Sequence, residues 1–150
     1  MDRENLFWQT IDRNGPLSNA AELLGWTFIE YTSKHRQMEV SFNAPATLTN
    51  PLGTIQGGMI SAMLDDTMGP AVYANLEQGQ VAVTVKLQTC FVRPVNPGHV
   101  SGQGRLVKRG RKYWYTCGTL KDADDNILAT ATATFKVMKL KEPALPPKGR

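Results

Sequence analysis

Two adjacent carboxylates, Asp65 and Asp66, fall in a stretch that contains no Lys, Arg or His between residues 57 and 75. Neither acid therefore has a counter-ion within its own helix, and an unpaired, desolvated carboxylate is what a general base or a carboxylate nucleophile requires. Directly upstream stands Gln56-Gly57-Gly58. A glycine pair at a helix start leaves N–H groups unpaired at the positive end of the helix dipole, where they can hold a developing oxyanion. On a helical projection Gly58, Ala62 and Gly69 lie between the two acids, so the carboxylates border a strip of small residues opposite the apolar sector. The strip reads either as a groove beside a desolvated base or as a polar edge whose glycines permit close packing against a subunit.

A second group of candidates is the basic run Lys108, Arg109, Arg111 and Lys112 around Gly110. It reads as a phosphate clamp or as a solvated turn, and both readings put it at the surface. No nucleic-acid-binding motif accompanies it, so nucleic acid is not an expected partner. His35 and His99 are isolated, and Cys90 and Cys117 sit in separate strand-like segments without ligand spacing. No metal site and no disulfide are expected, and the cysteines read as reduced core or sheet residues. There is no G-x-S-x-G elbow and no P-loop. The acidic run 122–126 lacks the glycine and terminal glutamate of a calcium loop and reads as a hairpin turn.

Around these residues the spacing defines the elements. From 57 to about 75, Met59, Ile60, Met63, Leu64, Thr67, Met68, Ala71 and Val72 fill one broad sector at helical period, which predicts a buried central helix. Gly69-Pro70 predicts a kink or an early end to it. Upstream, residues 6–11 and 18–24 read as short helical pieces that cover an edge, with Ser18 as N-cap and Gly25 as stop. Residues 26–32 and 37–42 read as a strand hairpin, followed by a loop over 43–56. Downstream, four runs of period two span 80–92, 99–109, 112–121 and 127–138. In the first of these, Val81, Val83, Val85, Leu87 and Phe91 mark one face. The connections leave no room for crossover helices, so the strands are expected to be antiparallel. The fold class is α+β, a long antiparallel sheet around one central helix.

The whole chain agrees with this. Its 150 residues suit a single core, and its apolar and charged fractions are those of an ordinary globular protein. The domain reading is an N-terminal helical segment over 1–24, the main domain over 25–138, and a mobile tail over 139–150 with three prolines. The charged N-terminus is followed by no apolar run long enough for a signal segment or a membrane span, so no membrane partner and a cytoplasmic location are expected.

The stretch from Asn50 through Gln56-Gly57-Gly58 to Asp65 resembles the signature of PaaI-like hotdog-fold acyl-CoA thioesterases: Asn, five residues, His-Gly-Gly, then an acid. Val83-Thr84-Val85-Lys86-Leu87, with Phe91, Arg93-Pro94 and Pro97-Gly98, is similar to the family's third strand and following turn, and residues 127–131 are similar to its last strand. The resemblance implies the hotdog fold and hydrolysis of an acyl-CoA, with no cofactor beyond the CoA of the substrate. It implies that Asp65 is nucleophile or general base, Gly57 the backbone donor to the thioester oxygen, Asn50 a polar helper, and Thr84 a hydroxyl that places the water. It adds Gly58, Asp66, Arg93, Arg109, Gly110, Arg111 and Lys112 as substrate-binding candidates, the last four at a turn that receives the CoA phosphates. A site spanning two subunits is implied, hence a homodimer or homotetramer. Gln56 departs from the pattern, because it stands where the family has His. Glutamine donates and accepts hydrogen bonds but relays no proton near neutral pH, so it is expected to orient the loop. The paired Asp and His of hydratases of this fold are absent. The competing reading is a non-catalytic hotdog module that binds acyl-CoA or fatty acyl groups.

Overall fold

In the computed structural model, which describes residues 3–140, the element order is α1 (Leu6–Asp12), α2 (Asn19–Leu24), β1 (Trp26–Thr32), β2 (Gln37–Ala44), a 3-10 turn (Ala46–Leu48), α3 (Gly57–Tyr73), β3 (Gln80–Phe91), β4 (Gly98–Arg109), β5 (Tyr113–Lys121) and β6 (Ile127–Lys139). The strands form one six-stranded sheet in the order β1-β2-β4-β5-β6-β3, and every pairing is antiparallel. The sheet wraps around α3, so the fold is the α+β hotdog layout.

The apolar sector of α3 turns inward as its spacing requires. Ile60, Met63, Leu64, Thr67, Met68, Ala71 and Val72 are all buried. They pack on Val40, Phe42, Val100, Leu120 and Phe135 of the sheet, which belong to the same core. Close approach depends on glycines under the helix. A Cβ at Gly104 would run into the carbonyl of Thr67, and one at Gly102 would sit 2.6 Å from Thr67 Oγ1. Their absence lets the helix backbone settle onto β4.

Pro70 does not end the helix, which runs on to Tyr73. Proline removes the N–H that would bond the carbonyl four residues back, here Asp66. That carbonyl instead accepts a 2.9 Å bond from the indole Nε1 of Trp26. The lost backbone donor is replaced from β1, and the helix survives.

A second difference concerns β3. A bulge between Thr84 and Lys86 shifts the register against β6. Ala82 and Thr84 therefore share the inner face with Leu87, Thr89 and Phe91, whereas Val81 and Val83 face outward, so the expected single apolar face is split. As the last strand in the order, β3 leaves one edge unpaired among the described residues, beside the exposed Val83 and Val85.

The N-terminal helices do more than cover an edge. Asn5 caps α1 through Oδ1, which accepts from Trp8 N, and its Nδ2 donates to the carbonyls of Tyr73 and Leu76. Trp8 Nε1 donates to Ala74 O. These bonds satisfy carbonyls at the C-terminal end of α3 that the helix itself leaves free. Cys90 and Cys117 are free thiols on the sheet, exposed and half-buried respectively, and neither lies in the core. No helix among the described residues is long and apolar enough to cross a membrane. At the other end, β6 extends through Lys139, one residue past the expected boundary. The rest of the expected tail, 141–150, lies outside the described residues.

Candidate active site

The seam between α3 and the inner face of β3 holds three of the five expected catalytic residues, Gly57, Asp65 and Thr84, and leaves out Asn50 and Gln56. On the helix, Gly57, Ser61 and Asp65 recur every four residues and so share one face. Each has a counterpart on β3. The Phe91 ring stands where a Cβ on Gly57 would meet it at 3.4 Å. Ser61 Oγ lies 2.9 Å from Thr89 Oγ1. Thr84 Oγ1 donates to Asp65 Oδ1 at 2.8 Å. The bulge beside Thr84 is what turns Thr84, Thr89 and Phe91 to the same side. Asp65 is half-buried, and the Thr84 hydroxyl orients its carboxylate without bringing a cation to it. Ser61 and Thr89 are additions to the expected site; the four-residue step back from Asp65 is the signal that could have found Ser61.

Asp66 occupies a different environment one residue on. Its Oδ2 is shielded from solvent and has no hydrogen-bond partner among the described residues. Burial, and then the negative charge of Asp65, push its carboxyl up to about 6.

At the helix start, Gln56 is the N-cap residue, yet its exposed side chain makes no capping bond. Its backbone holds the loop, with N bonding Leu48 O and O accepting from Met59 N and Ile60 N. No bond to the N–H of Gly57 or Gly58 is formed among the described residues. Gly57 borders an open hollow of about 340 Å³ lined also by Ile60, Phe91 and Arg93. Arg93 is thereby brought to the Gly57 end of the seam, where its Nη1 donates to Ile127 O at 2.6 Å. Asn50 is committed to its own loop: Oδ1 accepts from Leu52 N and Thr54 N, and Nδ2 donates to Thr54 Oγ1. It shapes the approach to Gln56 and Gly57.

The basic turn is not gathered into this seam. Arg109 pairs with Trp114, Trp114 with Phe135 and Phe135 with Thr84 across the sheet. Three strand spacings, about 14 Å, separate the turn from Thr84. Arg109 lies over the Trp114 ring at 4.6 Å. Gly110 is required by the turn itself, because a Cβ there would strike the Tyr113 carbonyl. Arg111 and Lys112 are exposed.

One distance governs what a single chain can do. Gly57 and Asp65 are eight residues apart on one helix, about 12 Å along its axis. A thioester carbonyl is held by donors within roughly 3 Å of its oxygen while the attacking group approaches its carbon at a similar range. The Gly57 donor and the Asp65 carboxylate of one chain are too far apart to serve the same carbonyl.

The family model of the thioesterase superfamily matches residues 52–129, which include Gly57, Asp65 and Thr84. The chain belongs to the thioesterase superfamily. Among solved structures of this superfamily fold, a phenylacetic acid degradation-related protein from Ralstonia eutropha JMP134 is 35% identical, with a TM-score of 0.84 over 88% of this chain and 99% of that one. The E. coli PaaI protein from the phenylacetic acid degradation operon shares the fold at 17% identity, with a TM-score of 0.75 over 90% and 94% of the two chains. A Bacillus halodurans protein solved with CoA is 23% identical, with a TM-score of 0.71 over 88% and 83%. These findings bear out the PaaI-like resemblance and the hotdog fold read from the sequence.

Proposed function

We propose that this thioesterase-superfamily chain hydrolyses acyl-CoA thioesters as a homo-oligomer. Each site joins Asp65 and Thr84 of one copy to the Gly57 N–H of another. The observation that carries the reading is the Asp65 carboxylate, oriented at 2.8 Å by the Thr84 hydroxyl on a helix without a cation. The roughly 12 Å between Gly57 and Asp65 supports the shared site. In the direct route a carboxylate oxygen of Asp65 attacks the thioester carbon and the carbonyl oxygen becomes an oxyanion held by the Gly57 N–H. The C–S bond then breaks with release of CoA thiolate, and water hydrolyses the resulting anhydride. In the general-base route Asp65 takes a proton from the attacking water. Single-turnover hydrolysis in ¹⁸O water separates the two, since only the direct route leaves label in the carboxylate of Asp65.

Asp65→Asn is expected to lower turnover by about 10² or more while acyl-CoA still binds, measured by trapping the released thiol. Equal turnover in wild type and variant overturns the assignment. An absence of turnover in the wild type, with acyl-CoA bound, would favour a non-catalytic acyl-CoA module. The reading with specific support there is Gln56, which cannot relay a proton.

CoA is the leaving group best suited to the exposed Arg111 and Lys112, and the Bacillus halodurans protein of this fold was solved with it. Charge-assisted contacts to phosphate contribute about 1.5 to 3 kcal/mol each. Arg111→Ala with Lys112→Ala is therefore expected to raise KM for acyl-CoA about tenfold or more with kcat little changed, and to leave an acyl-pantetheine substrate unaffected. Equal losses on both substrates would make the turn structural.

A further inference from the structure

The middle of the α3–β3 seam holds a pair of hydroxyls that the proposed reaction leaves unused. Ser61 lies four residues from Gly57 on one side and four from Asp65 on the other, about 6 Å along the helix from each. Its Oγ sits 2.9 Å from Thr89 Oγ1, and either atom can be the donor. Both side chains are half-buried. A hydroxyl offers one proton and two lone pairs, so the mutual bond leaves the pair with one O–H and several lone pairs still free. Neither hydroxyl makes a second hydrogen bond among the described residues. The seam lies at the open edge of the sheet, because β3 is the last strand in the order, and Val83, Val85 and Phe91 are exposed along it.

The place of Ser61 acquires a meaning once two copies share their sites. A Gly57 N–H and an Asp65 carboxylate that serve one thioester carbonyl stand within roughly 6 Å of each other. In a closed two-fold dimer that contact occurs twice: Gly57 of the first copy meets Asp65 of the second, and Asp65 of the first meets Gly57 of the second. The two α3 helices then run antiparallel along a common seam, and the axis passes between the midpoints of their 57–65 segments. The residue at that midpoint is Ser61. A head-to-tail arrangement also joins Gly57 to Asp65, but in it residue 61 never meets itself. The hydroxyl pair favours the closed arrangement. A contact across a two-fold must be self-complementary, and a pair with both a spare donor and spare acceptors can bond to its own copy.

We propose that Ser61 and Thr89 stand at the two-fold axis of a closed dimer, where the hydroxyl pair of one copy bonds that of the other and sets the offset between the two α3 helices. The inference rests on the shared-site reading above and deepens it by naming the symmetry of the partner copy and the residues that register it. Ser61 and Thr89 are positioning residues. They touch no reacting atom and act by holding the Gly57 N–H of each copy at its working distance from Asp65 of the other. One contact serves both centres, which lie about 12 Å apart at the two ends of the seam.

The first test is geometric. Ser61→Cys is placed in a full chain whose two native thiols are removed by Cys90→Ser and Cys117→Ser, and the chain is treated with a short bis-maleimide. A covalently linked dimer is expected, in a yield independent of dilution. If the thiol at 61 is fully modified but unlinked, while Gly57→Cys and Asp65→Cys chains mixed together link to each other, the sites are shared head to tail and the two-fold fails. If neither combination links, the shared site fails with it. If the link at 61 forms while the wild type hydrolyses nothing, the axis stands and the catalytic reading fails. The second test is kinetic. Ser61→Ala with Thr89→Val is expected to lower kcat about tenfold, with KM for acyl-CoA little changed and the dimer retained by light scattering, because a misplacement of about 1 Å at a reaction centre costs up to about 10²-fold. Ser61→Thr, which keeps the hydroxyl, recovers most of the loss seen in Ser61→Ala. An unchanged kcat in the double variant, or no difference between Ser61→Thr and Ser61→Ala, overturns the positioning role even where the link at 61 forms.

Discussion

Asp65 and Asp66 are chemically identical and adjacent, yet the fold separates their work. Asp65 meets a hydroxyl donor at the α3–β3 seam, whereas the Oδ2 of Asp66 is shielded from solvent and has no partner among the described residues. The consequence for stability has a definite sign. The carboxyl of Asp66 titrates near 3.8 unfolded and about 6 folded, so between those values the folded state binds more protons. Its contribution is fully favourable below about pH 4 and is lost as pH rises through 6. Asp66→Asn removes the ionisation, and above pH 7 it is expected to stabilise the chain by about 1 to 2 kcal/mol, allowing for solvent screening. Near pH 4 it should give no gain. Urea unfolding at pH 8 and pH 4 measures both, and a gain equal at the two pH values would show that ionisation is not the cause. That the pair stood on a helix without counter-ions was legible in the sequence, because charge is read directly from residue types. Which acid faces the hydroxyl was not legible from charge or period and came only from the resemblance, because it depends on Thr84 arriving from a strand 19 residues away.

At the scale of elements, the central helix and the antiparallel strands follow from apolar period alone, and their observed bounds lie within a few residues of the expected ones. Two features escaped that reading for physical reasons. The bulge in β3 inserts a residue without a glycine to announce it, so a period-two pattern carries straight across it. Pro70 reads as a kink or an early end because local rules count only the donor it lacks, while the replacement donor, Trp26 Nε1, is 40 residues from Asp66 in the chain. That replacement can be tested as a pair. Trp26→Phe keeps the ring and orphans the Asp66 carbonyl, which is expected to cost about 1 to 3 kcal/mol. Pro70→Ala restores the backbone N–H to the same carbonyl, so in that background Trp26→Phe should cost clearly less. Equal costs in both backgrounds, by denaturant midpoint, would show that the indole bond does not sustain the last turn of α3.

At the scale of the whole molecule, the roughly 12 Å between the oxyanion donor and the carboxylate makes one chain an incomplete enzyme under the proposed function. The eight-residue separation of Gly57 and Asp65 was readable in sequence, but the mismatch with the reach of a thioester emerges only when the helix is taken as one rigid rod from Gly57 to Tyr73. Under the same proposal the edge of β3, unpaired among the described residues and beside exposed Val83 and Val85, is the surface through which a second copy would bring its own Gly57 to this Asp65. Two inactive variants decide the matter when co-expressed. Asp65→Asn removes the carboxylate. Gly57→Pro removes the donor N–H at the first helical position, where proline is accommodated, and Gln56 already has the extended backbone that a residue before proline favours. Each variant alone should be nearly inactive. Random assembly into dimers makes about half of them mixed, each with one site that has both an intact Gly57 N–H and an intact Asp65, so about a quarter of wild-type activity should return. If each site were built within a single chain, every site in the mixture would lack one group, and co-expression would recover nothing.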